Sequence, residues 1–165
     1  MIYLLDSDSL MAANRLYYRF KNFPCVWNWL EVKLKEKNVQ SVDAVLNEIK
    51  KGDDPLKQWA NKNHTYFVST TDADTQRAMR EITEYVRQNY SEQKLNEFLS
   101  KADIWLIAKS KALRDNGIQN IVVTNEEAIN NPSQDSKVKI PNVCNKFEIR
   151  TMNFFDFLSN LNANF

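Results

Sequence analysis

Four acidic residues stand where their charge could do chemistry. Asp6 ends an apolar run at residues 1–5, Glu48 lies at the edge of a helical apolar stripe, Asp103 opens a helical stretch, and Glu126 follows a second apolar run. Carboxylates brought together repel and raise one another's pKa, so a cluster that stays ionised needs a hard divalent cation. Magnesium or manganese is the ion expected at such a site. It can position and polarise an RNA phosphate and lower the pKa of a bound water, so that hydroxide attacks phosphorus at neutral pH. Taken singly, each acid has a plainer explanation. Ser100-Lys101-Ala102-Asp103 and Thr124-Asn125-Glu126-Glu127 have the spacing of capping boxes. Asp8 reads most simply as a helix N-cap with Asp6 in a solvated turn, and Glu48 as an exposed helix residue.

The elements that would position these acids follow from the apolar pattern. Residues 1–5 and Asn120 to Val123 are short apolar runs that end in polar residues, the pattern of buried strands. Residues 10–18 turn helical, and Pro24 opens a helix in which Trp27, Leu30 and Leu34 recur at spacings of three and four. Ser41 is the expected N-cap of a helix carrying Val42, Val45, Leu46 and Ile49, which stops near Gly52. Asp53 and Asp54 before Pro55 read as the cap of a helix carrying Leu56 and Trp59, and Tyr66, Phe67 and Val68 as a short strand. Residues 71–98 have the amphipathic pattern of one or two charged helices. Residues 102–114 form a clearer helix with Ile104, Ile107 and Ala108 buried, stopped by Gly117. Residues 137–140 and 147–150 are expected strands, and residues 153–161 an aromatic-rich final helix. Strands separated by helices imply right-handed crossovers and a mostly parallel sheet covered by helices, with ligands beyond the carboxyl ends of the strands.

Composition excludes several classes. With 165 residues, 43% hydrophobic, 2 Gly and 4 Pro, the chain is neither disordered nor a turn-rich all-β protein, and one domain over residues 1–165 is expected. The balance of 22 Lys+Arg against 21 Asp+Glu gives no overall basic field, so any RNA surface is a local patch. Lys50, Lys51, Lys109 and Arg15 are the candidates for it. Cys25 and Cys144 are too few for a disulfide framework or zinc ribbon, which suits a reducing cytoplasm. No run approaches 18 apolar residues, so no membrane association is expected. His64 has no metal-ligand partner at suitable spacing, and the four tryptophans sit in core patterns.

In combination the acidic motifs resemble a family. Ile2-Tyr3-Leu4-Leu5-Asp6-Ser7-Asp8-Ser9-Leu10 is similar to the opening strand and first invariant Asp of PIN domains, the nuclease fold of many prokaryotic toxins of toxin–antitoxin pairs. Val45-Leu46-Asn47-Glu48-Ile49 resembles the helix that carries that family's conserved Glu. Ala102-Asp103-Ile104-Trp105-Leu106-Ile107-Ala108 resembles its Asp-led helix, and Ile121-Val122-Val123-Thr124-Asn125-Glu126 its strand followed by Thr, any residue and an acid. The four motifs occur in the family's order across most of the chain.

The resemblance implies a three-layer PIN-like α/β fold and a metal-dependent endoribonuclease. Asp6 and Asp103 would be the central ligands, with Glu48 and Glu126 beside them and Thr124, Asp8 and Asn125 in support. It also implies an RNA substrate, a small antitoxin partner and a homodimer. Two positions depart from the family: Glu126 replaces the usual final Asp, and Asp8 stands where a smaller polar residue is common. An inactive PIN-like RNA-binding or scaffold protein is one alternative. A haloacid-dehalogenase-type phosphatase using Asp6 and Asp8 is another; it requires a later Lys and an acidic pair, and after Thr124 the chain offers Lys137 and Lys139 without a convincing pair.

Overall fold

The computed structural model describes residues 1–165. Five strands, β1 (Ile2–Leu5), β2 (Val39–Val42), β3 (Phe67–Val68), β4 (Asn120–Val123) and β5 (Arg150–Met152), form one sheet in the order β3-β2-β1-β4-β5. Every pairing is parallel. Successive side chains of a strand point to opposite faces, yet Tyr3, Leu4 and Leu5 are all buried, as are Ile121, Val122 and Val123. Both faces of the central strands are therefore covered, and the fold has three layers.

Nine helices supply the cover: α1 (Ser7–Ala12), α2 (Pro24–Lys35), α3 (Asp43–Lys50), α4 (Pro55–Lys62), α5 (Ala73–Asn89), α6 (Glu92–Leu99), α7 (Asp103–Asp115), α8 (Ile140–Lys146) and α9 (Phe154–Asn160). Their buried stripes are the expected ones, with Trp27, Leu30 and Leu34 on α2, Leu56 and Trp59 on α4, and Ile104, Ile107 and Ala108 on α7. Together with the sheet they make one cluster of 40 buried apolar residues. No helix is long and apolar enough to cross a membrane.

Several local expectations are corrected. Ser41 does not cap a helix; it lies in β2, where its hydroxyl donates to Leu5 O at 2.6 Å, and α3 begins only at Asp43. Residues 137–139 form no strand, and Ile140 opens α8 because Pro141 suits a first helical turn. The last strand is Arg150–Met152, later than expected. The helical reading of residues 10–18 holds, except that α1 passes at Ala13–Tyr17 into a wider π-type turn. Gly117 ends α7 with φ at 76°, a left-handed conformation that glycine adopts without strain. Its N–H donates to Arg114 O and that of Ile118 to Leu113 O, so the chain leaves α7 sharply and enters β4 three residues later.

The hydroxyl of Ser41 ties β2 to β1 within the core. We expect Ser41→Ala to cost about 1–3 kcal/mol by leaving a buried carbonyl without this donor, read as a lower urea midpoint at unchanged m-value.

Candidate active site

The register of the two central strands brings the first two site residues together. Leu5 pairs with Val123, so Asp6 and Thr124 leave the sheet side by side at its carboxyl edge, with the Asp6 N–H bonded to Val123 O at 3.1 Å. Asp6 is not a solvated turn residue. It is 2% exposed and is itself the N-cap of α1, accepting the Ser9 N–H at 2.7 Å, whereas Asp8 is exposed in the first turn. Burial pushes the Asp6 carboxyl up to about 6, against the opposing pull of hydrogen bonds from Ser9 and Thr124. Thr124, also buried, accepts the Glu126 N–H at 3.1 Å.

Glu48 joins this edge to α7. One carboxylate oxygen accepts from Ser7 Oγ at 2.5 Å and the other from Ala102 N at 2.8 Å. The first bond holds the residue after Asp6 and the second holds the residue before Asp103. The capping box expected at Ser100 does not form. The Ser100 hydroxyl turns back to Glu97 O, and Ala102 at the head of α7 makes no side-chain cap. Asp103 is thus free of capping duty. Its carboxyl is pushed up to about 7, first by burial and then by the nearby charges of Glu126, Glu48 and Asp6, with Lys101 opposing.

The second expected capping box is also absent, because no helix follows Thr124. Instead Glu126 Oε1 accepts from Lys137 Nζ at 2.8 Å and Lys139 Nζ at 3.3 Å, while Oε2 accepts from Ile140 N at 2.9 Å. Burial alone would raise this carboxyl, but Lys137, the Ile140 N–H and Lys139 hold it below the usual range. Asn125 accepts the Phe154 N–H at 3.0 Å and so fixes the strand exit to α9. A groove of about 480 Å³ opens here, lined by Asp8, Arg15, Asn125, Glu126, Lys137 and Lys139 among others.

Asp6, Glu48, Asp103 and Glu126 therefore share one electrostatic neighbourhood at one rim of the sheet. They do not form a ready cage, since no group of three His, Cys, Asp or Glu side chains is placed to hold a metal ion. Glu48 and Glu126 already have their oxygens occupied by protein donors. The donor set of Asp6 and Asp103 suits a hard cation: both supply oxygen, and burial, with Asp8 acting on Asp6 and with Glu126, Glu48 and Asp6 acting on Asp103, leaves them short of positive charge. Of the expected phosphate contacts, Arg15 lines the groove, Lys50 and Lys51 are exposed at the end of α3, and Lys109 is tied to Asp72 at 2.7 Å and Ser69 O at 3.1 Å. Sequence reasoning missed Ser7 and the paired lysines at Glu126. Ser7 within the Asp-Ser-Asp-Ser run was the one available signal.

The raised Asp103 carboxyl has a stability signature. The unfolded chain releases that proton near 3.8, and the folded chain keeps it to about 7. Between those values the folded state binds more protons, so stability is lost as pH rises through the window. With chelator present, we expect the urea midpoint of the wild type to fall relative to Asp103→Asn between about pH 4 and pH 7, and to match it below about pH 4. Parallel curves across that range would show that Asp103 is not charge-strained.

The sequence matches, over residues 3–165, the family model described as a domain of unknown function (DUF4411). No curated protein matches the chain. The fold is similar to the crystal structure of VapBC2 from Rickettsia felis bound to a DNA fragment from its promoter. The TM-score is 0.51 at 16% sequence identity, with 93% of this chain and 99% of that chain covered. That likeness bears out the expected PIN-like architecture at the level of fold. The chain belongs to the DUF4411 family and carries a PIN-like, three-layer α/β fold.

Proposed function

We propose that this protein is a metal-dependent endoribonuclease, with Asp6 and Asp103 as its catalytic carboxylates. The observation that carries the reading is the pair itself, two carboxyls at the carboxyl edge of the central strands, pushed up to about 6 and about 7. Carboxyls perturbed by burial and by neighbouring charges in this way are candidates for acid–base or cation-binding roles. A magnesium or manganese ion bound there would supply positive charge and an activated water for phosphodiester hydrolysis. The chain's own residues do the placing. The Ser9 N–H and Thr124 fix the Asp6 carboxylate, Glu48 fixes the approach of α7 to it, and Asp103 stands on the first turn of a buried helix. Arg15 and the lysines of the groove supply cations that an RNA backbone requires.

By analogy with VapBC2, whose fold it shares, and from the PIN-domain resemblance, the proposed setting is the cytoplasm, with a small antitoxin as partner and a homodimer as the assembly. Two free cysteines accord with a reducing compartment. The phosphatase alternative needs an Asp6 oxygen free to attack phosphorus. It also needs a later acidic pair for magnesium, and after Thr124 the sequence offers no convincing one. A PIN-like protein without turnover draws its support from Glu126, whose oxygens are all engaged.

Purified protein is expected to cleave a mixed RNA pool only with magnesium or manganese, and to gain melting temperature as either ion is added. Asp6→Asn and Asp103→Asn should abolish cleavage and that gain while remaining folded, because each keeps shape and removes the charge that retains the ion. Cleavage that survives chelation would reject the site. A thermal shift without cleavage would select the non-hydrolytic alternative, and metal-dependent release of phosphate from a generic monoester would select the phosphatase.

A further inference from the structure

Residues 124–139, between β4 and α8, contain no helix or strand, yet their end returns to their beginning. Lys137, Lys139 and the Ile140 N–H all close on Glu126. A structural ion pair needs one cation per carboxylate. Here two ammonium groups lie 2.8 and 3.3 Å from the same oxygen, so one carboxylate gathers two cations at one point of the rim. Both lysines keep outward access, with side-chain exposures of 45% and 23%, and both line the groove beside Arg15. With Glu126, Asp8 and Glu127 balance the three cations over the groove as a whole, and the positive charge is concentrated where the two lysines meet.

The same contacts take Glu126 out of the pool of free carboxylates. Oε1 is spent on the two lysines and Oε2 on the head of α8. The charge of Glu126 reaches Asp103, and that of Asp103 reaches Lys137, so this end of the groove lies within electrostatic range of Asp103.

We propose that Lys137 and Lys139 bind phosphate groups of a single-stranded RNA lying in this groove, and that Glu126 is a positioning residue that holds them there. This rests on the ribonuclease reading. It assigns the lysine pair to substrate and removes Glu126 from the cation's ligands. Conserving the charge of the lysines should matter more than their exact shape, because a phosphate contact is electrostatic.

The test is binding of a fluorescent oligouridylate to the full chain in chelator, where cleavage is blocked, across a salt series. Each phosphate-bound lysine contributes about 0.7 to the slope of log affinity against log salt for single strands. Lys137→Ala/Lys139→Ala should lower the wild-type slope by about 1.4, and Lys137→Arg/Lys139→Arg should restore it. An unchanged slope in a folded alanine variant overturns the phosphate assignment. In a thermal melt, Glu126→Gln should keep the manganese-induced rise that Asp103→Asn loses. Loss of that rise in both variants makes Glu126 a cation ligand and overturns its positioning role. If the slope falls as expected but wild type cleaves no RNA with manganese, the ribonuclease reading fails and the phosphate site stands. If wild type cleaves but the slope does not fall, the reverse holds.

Discussion

The Glu48 carboxylate holds together parts of the chain that sequence keeps far apart. Through Ser7 it fixes the exit of β1, and through the Ala102 N–H it fixes the head of α7. Hydrogen bonds to a charged acceptor are about twice as strong as neutral ones, and both of these are short. Neither Asp6 nor Asp103 is bonded by it directly. Each is the chain neighbour of a residue that is, so the separation of the two catalytic candidates depends on a third acid that stays occupied. A site built this way tolerates little at Glu48. A glutamine keeps the shape but offers only one oxygen, and must present an amide N–H₂ to either Ser7 or the Ala102 N–H.

The arrangement also explains why such charge can be buried at all. Asp6 lies among the most enclosed residues of the chain, and a carboxylate there is costly to ionise. The fold meets part of that cost with the Ser9 N–H at the start of α1, where a helix terminus favours negative charge. It leaves the remainder uncompensated by protein cations, whereas Glu126 nearby receives two lysines. Compensation is therefore unequal across one small region: complete at Glu126, supplied by neutral donors at Glu48, and deficient at Asp6 and Asp103. Under the proposed function, that inequality separates the residues that build the site from those that would take a cation.

The large elements were legible because their physics is local. Residues 1–5 and 120–123 are apolar runs bounded by polar residues, and buried parallel strands have that pattern; α2, α4 and α7 carry apolar residues at helical spacing. The strand β2 was not legible. Val39, Gln40, Ser41 and Val42 make a mixed tetrapeptide, and Ser41 before a helical stripe has the form of an N-cap until a neighbouring strand offers its carbonyl. The apparent capping boxes misled for the same reason, since Ser100 and Thr124 found other partners through tertiary structure. The acidic positions were visible as motifs, but their inequality was not. Which of four carboxylates is saturated depends on where Ser7, Ala102, Lys137 and Lys139 arrive, and no spacing encodes that.

The central place of β1 in the sheet bears on the order in which the molecule acquires its chemistry. Ile2 pairs with Asn120, so β1 of a growing chain waits for a strand made much later. Until then Asp6 has neither the Val123 carbonyl for its backbone nor Thr124 beside its side chain, and β1 has an open edge. Pairing at such sequence separation is slow to form, and chains emerge from the ribosome N-terminus first. A nascent chain of this topology thus carries Asp6 apart from Thr124 until β4 has emerged, and a hydrolase built on it would become competent only after that.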